Sequence, residues 1–291
     1  MPNSARQRRR LTIALALAIV VFFAEAVAAV FANSLALLAE AFHVLVDVVA
    51  LGVALVAVWL AARPATDRRT FGLLRLEILA TVLNTVLLLV VASVVLVEGV
   101  RRFTEPSHVD SVLVLAVATL GLSSNAIAVF LLRDPGPSLA IRAAYLDVLS
   151  DFVSSGAVIV SALATIIAGR QLADTLAAFL IVALIVPRAV SLLREAIDVL
   201  LEATPRGVDL DALRRHVLAC GGVKDIHDLH VWTITSGVNV LSAHVVVHAG
   251  ADPGAVLDEL ESCLHGDFDI EHSTFQLEGE DRKRLERASH P

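Results

Sequence analysis

Six long apolar segments, separated by short polar breaks, constrain the fold of this chain more than any other feature. They cover residues 11–31, 35–61, 77–100, 111–132, 140–168 and 173–200. A helix that crosses the hydrocarbon core of a bilayer needs about 20 mostly apolar residues, and each segment is long enough. The breaks contain the glycine, proline, asparagine and charged residues that turns require. The sequence therefore predicts an α-helical membrane protein with six transmembrane helices.

Composition and the placement of arginines agree with this interpretation. The 291 residues are 57% hydrophobic and only 18% charged, whereas a typical soluble domain carries about 25% charged residues. Loops rich in lysine and arginine face the cytoplasm, so we expect both termini inside, in a cell (inner or plasma) membrane. The net charge of −7 gives no indication of nucleic-acid binding. The arginines on the richer side are Arg6, Arg8, Arg9, Arg10, Arg63, Arg68, Arg69, Arg75, Arg133 and Arg142; those on the other side are Arg101, Arg102 and Arg170.

The last ninety residues have a different pattern, typical of a small α/β domain. Two short amphipathic helices and three alternating strands follow in the order α-β-β-α-β, and Asp252 with Pro253 marks the start of the second helix. The free cysteines Cys220 and Cys263 indicate a reducing cytosol rather than a disulfide framework. We divide the chain into a basic N-terminus (1–10), a membrane domain (11–202), a cytosolic domain (203–280) and a flexible tail (281–291).

Two of the apolar segments carry acidic and histidine side chains at matched spacings. His43 and Asp47 are four residues apart in the second segment, and Asp147 and Asp151 are four residues apart in the fifth. Residues at this spacing share one face of a helix. Ionisable groups inside a bilayer are costly and usually functional, at about 2.5–3.5 kcal/mol for a central aspartate. Two such helices side by side can close a four-coordinate site.

One imidazole and three carboxylates form a ligand set suited to Zn²⁺. The carboxylate oxygens also keep Mn²⁺, Fe²⁺, Co²⁺ and Cd²⁺ possible as ligated metals. Without a metal, carboxylates this close must take up protons, and metal binding must expel them. Exchange of metal for protons follows from the ligand set. The alternative is that these groups only hydrogen-bond helices together. Two matched pairs make that interpretation weak, although it remains the preferred one for Asn84 and Asn125.

At the level of motifs, the chain resembles the cation diffusion facilitator family. The resemblance is carried by "NSLALLAEAFHVLVD", "RPATDRRTFGLLRLEILA", "AAYLDVLSDFVSSG" and "VKDIHDLHVWTITSG", and it covers about residues 11–280. It implies six spans, a ferredoxin-like, metallochaperone-type cytosolic domain, a homodimer, and export of divalent metal in exchange for protons. It also implies that His43, Asp47, Asp147 and Asp151 form the transport site.

Two departures from the family pattern bear on the metal. Zinc-selective members usually carry histidine at the position of Asp147, and manganese members carry carboxylates throughout. This chain is mixed, so we rank Zn²⁺ first, with Cd²⁺, Co²⁺, Fe²⁺ and Mn²⁺ behind it. Members with a metal site in the loop 63–76 have histidines where Arg69 and Leu73 stand, so we expect that site to be absent. The metal would be substrate and a regulator, with no cofactor.

A second metal site is predicted on the strands of the cytosolic domain. Five histidines fall there, namely His227, His230, His244, His248 and His272. By the resemblance, His244, His272 and Glu278 match zinc-binding positions, and His227 matches a frequent fourth ligand. We also expect Arg75 to pair with an acidic residue of this domain such as Asp209.

Three functions compete at this point. The first is a proton-coupled divalent-metal exporter working by alternating access, in which Glu40 assists metal release. The second is a membrane-anchored metal sensor without transport, which would need the tail histidines but not the intramembrane set. The third, an intramembrane metalloprotease, lacks the His-Glu-x-x-His motif, and no phosphate-binding loop for an ATP-driven pump is present in the sequence. We expect the exporter, not an enzyme.

Overall fold

A computed structural model describes most of the chain, and some predictions fall outside it. Its backbone is described for residues 3–60, 66–105, 107–132, 139–235, 237–268, 270–279 and 282. Within these ranges the side chains not described are those of 3–14, 47, 50–51, 53–60, 127–132, 139–150, 263, 265–267 and 271. The side chains of Asp47 and Asp147, those of the basic N-terminus, and the predicted tail apart from Arg282 therefore lie outside the described residues.

Six long helices follow one another in the first two thirds of the described chain, at the positions of the six apolar segments. Among the described residues, four helical segments are long and apolar enough to cross a membrane: Leu15–Ala32, Leu76–Thr104, Asp151–Ala168 and Leu172–Leu200. The prediction of a helical membrane domain is confirmed. The six helices are α1 (Asn3–Ala32), α2 (Leu35–Leu60), α3 (Leu76–Thr104), α4 (Ser111–Leu132), α5 (Leu139–Ala168) and α6 (Leu172–Leu200).

Small residues form the centre of the helical unit, and large apolar residues face outward. Ala28, Ala36 and Ala178 are buried, so that neighbouring helices approach closely, as membrane helices do. A Cβ on Gly99 of α3 would lie 2.3 Å from the ring of Phe179 on α6, which shows how tight that contact is. Val97 and Ile167 are 72% and 82% exposed, which suits a surface surrounded by lipid rather than water.

The C-terminal elements are α7 (Leu210–Ala219), β1 (Val223–Thr235), β2 (Val238–Val247), α8 (Pro253–Asp267) and β3 (Ile270–Glu278). The strands form one sheet in the order β1-β2-β3. β1 and β2 are antiparallel and β2 and β3 are parallel, with α8 as the crossover. The predicted order α-β-β-α-β is confirmed, as is the cap at Asp252, whose side chain accepts from Gly254 N.

The two helices cover one face of this sheet, and we call the face away from them the open face. Leu213, Val217 and Leu260 from the helices pack against Leu241 and Val245 of β2, and all five are buried. Residues of β2 with even numbers, from Val240 to Val246, point to the opposite face. That open face carries the histidines discussed below.

The chain forms two compact units. The first contains residues 1–64 and 80–193, and the second contains 65–79 and 194–291. The second unit therefore includes the loop before α3 as well as the C-terminal elements.

Candidate metal sites

The intramembrane site is built on a direct contact between α2 and α5. His43 Nε2 and Asp151 Oδ1 lie 2.7 Å apart, and His43 is only 6% exposed. His43 lies eight residues after Leu35, or about 12 Å along the helix axis. That depth is near the middle of a hydrocarbon layer about 30 Å thick. A buried imidazole and a carboxylate are thus brought together where ionisable groups are most costly.

The other two predicted ligands belong to the same two helices. Asp47 follows His43 by one turn of α2, and Asp147 precedes Asp151 by one turn of α5. Their side chains lie outside the described residues, so their membership of the site stays a prediction. The backbone of both helices is continuous through these positions, which keeps the four-residue spacing on one helix face.

A second polar group surrounds Glu40, one turn before His43 on α2. Ser155 of α5 donates its hydroxyl to Glu40 Oε1 at 2.7 Å. Asn125 of α4 donates to the same serine oxygen at 3.3 Å. Glu25 of α1 lies against Gly121, where a Cβ would be 2.5 Å from Glu25 Oε1. Both glutamates are buried, so a continuous polar core extends through the interior of the helical unit.

The two intramembrane asparagines connect helices, as the sequence predicted. Asn125 contacts Ser155 across α4 and α5. Asn84 of α3 donates to the carbonyl oxygen of Val46 on α2 at 3.4 Å. Hydrogen bonds of this kind hold membrane helices together.

The start of α2 is held by an aspartate of α6. Asp174, the third residue of α6, accepts the Ser34 hydroxyl at 2.5 Å and the Leu35 amide at 2.7 Å. The Leu35 amide is one of the orphan N–H donors at a helix N-terminus, here satisfied by another helix. Arg102 Nη1 lies 3.7 Å from the same carboxylate and donates to the carbonyl oxygen of Asn33 at 2.8 Å. The helix that carries His43 is thereby fixed to α3 and α6.

Three predicted ligands of the C-terminal site come together on the open face of the sheet. Among the described residues, the ligand atoms of His227, His244 and Glu278 all lie within 4.8 Å of one another. Glu278 Oε1 is 3.3 Å from His244 Nδ1, and Glu278 Oε2 is 3.6 Å from His227 Nε2. Ligand atoms around a tetrahedral zinc ion are about 3.3 Å apart, so these three need only a small contraction to hold one.

An unsatisfied buried atom supports a cation here. Glu278 is 2% exposed, and in the described part of the chain its Oε2 has no hydrogen-bond donor. Gln276 donates to the other oxygen, Oε1, at 2.5 Å. A buried carboxylate that lacks a full set of donors is costly. A bound metal would satisfy it, and the donor set of two imidazoles and one carboxylate suits Zn²⁺.

A bulge in β1 lies between His227, which joins the group, and His230, which does not. The pairing with β2 is irregular between these two residues, and Asp228 adopts a left-handed φ of 51°. Regular alternation would put residues three apart on opposite faces, but with the bulge they pair with His244 and Ser242, which share one face of β2. His227 is buried opposite His244, whereas His230 is exposed opposite Ser242.

His272 lies away from this group in the single chain. It pairs in register with Val240, and its ring makes an edge contact with Phe71, with centroids 6.4 Å apart. Six residues separate His272 from Glu278 on β3, which is about 20 Å along a strand. Within one chain the structure therefore does not bring His272 to the three ligands, contrary to the predicted set of four.

Arg75 has a different partner from the one expected. The Nη2 atom of Arg75 lies 2.7 Å from Glu202 Oε1, and its partner is not Asp209. Asp209 instead caps α7, where its side chain accepts from the amides of Asp211 and Ala212. The prediction that Arg75 pairs with Asp209 was wrong, because an aspartate directly before a helix is better placed as its N-cap.

Comparison with known proteins agrees with a helical metal-transport domain followed by a small metal-binding domain. The model of the cation efflux transmembrane domain matches residues 11–201. The model of the cytoplasmic domain of cation efflux proteins matches residues 205–280. The chain belongs to the cation efflux (cation diffusion facilitator) family. It is a metal-cation efflux transporter and multi-pass membrane protein, not an enzyme.

Three of the similar proteins are bacterial metal transporters. The metal cation efflux system protein CzcD of Cupriavidus metallidurans is 41% identical over 97% of this chain and 90% of its own length. The cadmium, cobalt and zinc/H(+)-K(+) antiporter of Bacillus subtilis is 36% identical over 88% of this chain and 84% of its own. The zinc transporter ZitB of Escherichia coli is 36% identical over 93% and 87%.

A solved structure of a C-terminal domain is among those similar to this chain. The metal-bound C-terminal domain of the CzcD transporter from Cupriavidus metallidurans is 46% identical, covering 24% of this chain and 99% of that one, with a TM-score of 0.24.

Proposed function

We propose that this protein exports divalent metal, Zn²⁺ first, from the cytosol in exchange for protons by alternating access. The observation that carries the proposal is the buried contact of 2.7 Å between His43 and Asp151, which joins two helices at membrane depth. With Asp47 and Asp147 one turn away on the same helices, it gives the four-ligand transport site. The three carboxylate ligands also allow Cd²⁺, Co²⁺, Fe²⁺ and Mn²⁺, which we rank behind Zn²⁺.

Proton coupling follows from the chemistry of these ligands. An imidazole binds metal only when neutral, and a carboxylate only when ionised. The negative charge of three carboxylates at this depth must be balanced by a metal ion or by protons. Metal arriving from the cytosol would displace these protons, and protons from outside would then displace the metal. The name of the similar Bacillus subtilis protein includes both zinc and H⁺, which supports the same exchange here.

The C-terminal group of His227, His244 and Glu278 is proposed as a regulatory zinc site. It would be filled when cytosolic metal is high and would order the C-terminal domain, whose family model is named for a dimer. We propose a homodimer with both termini in the cytosol. The efflux family assignment favours this transporter over a sensor without transport.

Uptake of Zn²⁺ into proteoliposomes under an imposed pH gradient tests the proposal. Wild type should accumulate Zn²⁺ against its gradient when the vesicle interior is acidic, and reversing the gradient should stop it. His43→Ala should abolish this flux, while Asn84→Ala, which also removes a buried polar side chain contacting α2, should retain it. Equal flux with and without the pH gradient would contradict proton coupling. Equal flux in wild type and His43→Ala would contradict the site.

A further inference from the structure

A basic pocket in the second compact unit is not accounted for by metal transport. It has a volume of about 430 Å³ and is open to the surface. Three guanidinium groups line it together with two aromatic rings. These residues are Arg68, Arg69, Arg75, Phe71 and Trp232. We call it the arginine pocket.

The charge in this pocket is not neutralised from within. Its lining contains one carboxylate, Glu202, which is already paired with Arg75 at 2.7 Å. Arg68 and Arg69 are exposed, and neither makes an ion pair with a carboxylate in the described part of the chain. Asp67 lies between Thr66 and Arg68 in sequence but does not line the pocket. The pocket thus has an excess of two positive charges available to a ligand.

The arginines are carried on a well-formed turn. Thr66 N donates to Arg69 O at 3.2 Å, and Arg69 N donates to Thr66 O at 2.8 Å. Gly72 N also donates to Arg69 O at 2.9 Å, with Gly72 at a φ of 66° that favours glycine. The ring of Phe71 then packs on His272 of β3. These backbone and ring contacts hold the turn that carries Arg68 and Arg69.

Two residues that line the pocket, Arg75 and Glu202, lie next to candidate spans in the sequence. Arg75 directly precedes the span Leu76–Thr104, and Glu202 follows the span Leu172–Leu200 by two residues. The contact between Arg75 and Glu202 brings these two span ends together. Tryptophan and other aromatic rings are enriched at this level of a bilayer. Phe71 and Leu76 are 55% and 45% exposed, so apolar surface borders the charges.

We propose that the arginine pocket binds the phosphate headgroup of an anionic phospholipid. Arginine matches phosphate with a planar pair of N–H donors, and Arg68 and Arg69 are the two available. The exposed ring of Phe71 and the side chain of Leu76 would contact the glycerol and the first methylenes of the acyl chains. A soluble phosphate ester shares the headgroup chemistry, but the apolar border and the position beside two spans favour the lipid.

Native mass spectrometry of the full-length protein in detergent tests the site. The protein is mixed with phosphatidylglycerol or, as a neutral lipid, phosphatidylcholine. Wild type should retain phosphatidylglycerol in preference to phosphatidylcholine. The double variant Arg68→Gln/Arg69→Gln should bind phosphatidylglycerol about tenfold more weakly or worse, because each arginine beside an anionic lipid contributes several-fold. Both residues are exposed, so the variant should fold. Arg68→Lys/Arg69→Lys keeps the charge but loses the planar pairs of donors, so its binding should fall between that of wild type and that of the double glutamine variant.

Arg215→Gln is the matched control, because it removes one exposed arginine of α7 that does not line the pocket. Its retention of phosphatidylglycerol should equal that of wild type. Equal retention by the double glutamine variant and wild type would overturn the site. An equal loss in Arg215→Gln would overturn it in favour of general attraction by surface charge. Glycerol 3-phosphate should not displace the lipid at micromolar concentration; if it does, the occupant is a soluble phosphate ester and the lipid assignment is wrong.

Discussion

The two compact units differ in where their large apolar side chains lie. In the helical unit, Glu25, Glu40 and His43 are buried while Val97 and Ile167 are exposed. In the C-terminal domain, Leu213, Leu241 and Leu260 are buried. The difference follows from the solvent, because lipid is as apolar as leucine and offers no hydrogen bonds. Large apolar side chains such as Val97 and Ile167 can therefore face outward in the helical unit, whereas leucines form the core of the C-terminal domain, and both units bury some polar groups.

The two proposed metal sites differ in their surroundings. His43 and Asp151, which are 108 residues apart in sequence, meet between two helices, inside a polar core. His227, His244 and Glu278 meet on the open face of a sheet whose opposite face is apolar. In the proposed function, the site inside the polar core lies on the path of the metal across the membrane. A site on the face of a small domain can sense metal without carrying it.

The largest effect on stability is expected at the start of α2. Asp174→Ala would leave Arg102 and the first amides of α2 without their buried carboxylate. Breaking a buried pair in this way costs about 3–5 kcal/mol. Unfolding of the purified protein in mixed micelles measures this cost. Ser34→Ala removes only one neutral hydroxyl from the same network and should cost about 1 kcal/mol; equal costs for the two variants would contradict the account.

Glu278→Gln should separate metal binding from transport in the C-terminal domain. With Zn²⁺ at about 100 times its dissociation constant, a site stabilises its domain by about 2.7 kcal/mol. The variant loses its anionic ligand, so most of this gain should disappear in thermal unfolding with and without Zn²⁺. Gln276→Ala, which removes only a donor to Glu278 Oε1, is the milder comparison. An undiminished gain in Glu278→Gln would exclude the carboxylate as a ligand.

His43→Asp should change which metal crosses the membrane rather than whether one does. The variant has an all-carboxylate set, which suits Mn²⁺ better than Zn²⁺. We expect the ratio of Zn²⁺ to Mn²⁺ flux to fall about tenfold, which corresponds to about 1.4 kcal/mol. Asn84→Asp adds an acid to α3 outside the pair and should leave the ratio unchanged. A ratio unaltered in His43→Asp would mean that the imidazole does not set selectivity.

The smallest effect is expected at His272. It lies against Phe71 rather than beside Glu278, so His272→Ala should leave the Zn²⁺ affinity of the C-terminal site within about twofold. His244→Ala should weaken it about tenfold or more, since even outer-shell partners of a metal contribute that much. Isothermal titration of the full-length protein compares the two. If His272→Ala lowers the Zn²⁺ affinity as much as His244→Ala does, His272 belongs to the ligand set after all.

The helices were predictable because hydropathy reports lipid contact directly, but their ends were not. α3 continues to Thr104 rather than stopping near residue 100, since Arg101 and Arg102 occupy its last turn, where positive charge favours the helix dipole. α1 likewise begins at Asn3, before its apolar run. Polar residues that extend a helix leave no signal in an apolar pattern.

The sites were predictable where spacing within one helix or strand determines them. The four-residue spacing of His43 and Asp47 needs no tertiary information. Asp174 could not be found in this way, because its partners lie on α2, about 140 residues away in sequence. The role of His227 depends on the bulge at Asp228. The distance of His272 from Glu278 was, however, readable from strand geometry, and the family pattern outweighed it.

The most direct test compares Zn²⁺ flux for two variants in the same proteoliposomes, at saturating Zn²⁺ and with one imposed pH gradient. Asp151→Asn keeps the size of the side chain but removes the charge beside His43, and His244→Ala removes a ligand of the C-terminal group. The account predicts that Asp151→Asn lowers the flux at least about 100-fold, while His244→Ala keeps it within about threefold. Flux that survives in Asp151→Asn and disappears in His244→Ala would contradict the assignment of the transport path to the intramembrane site.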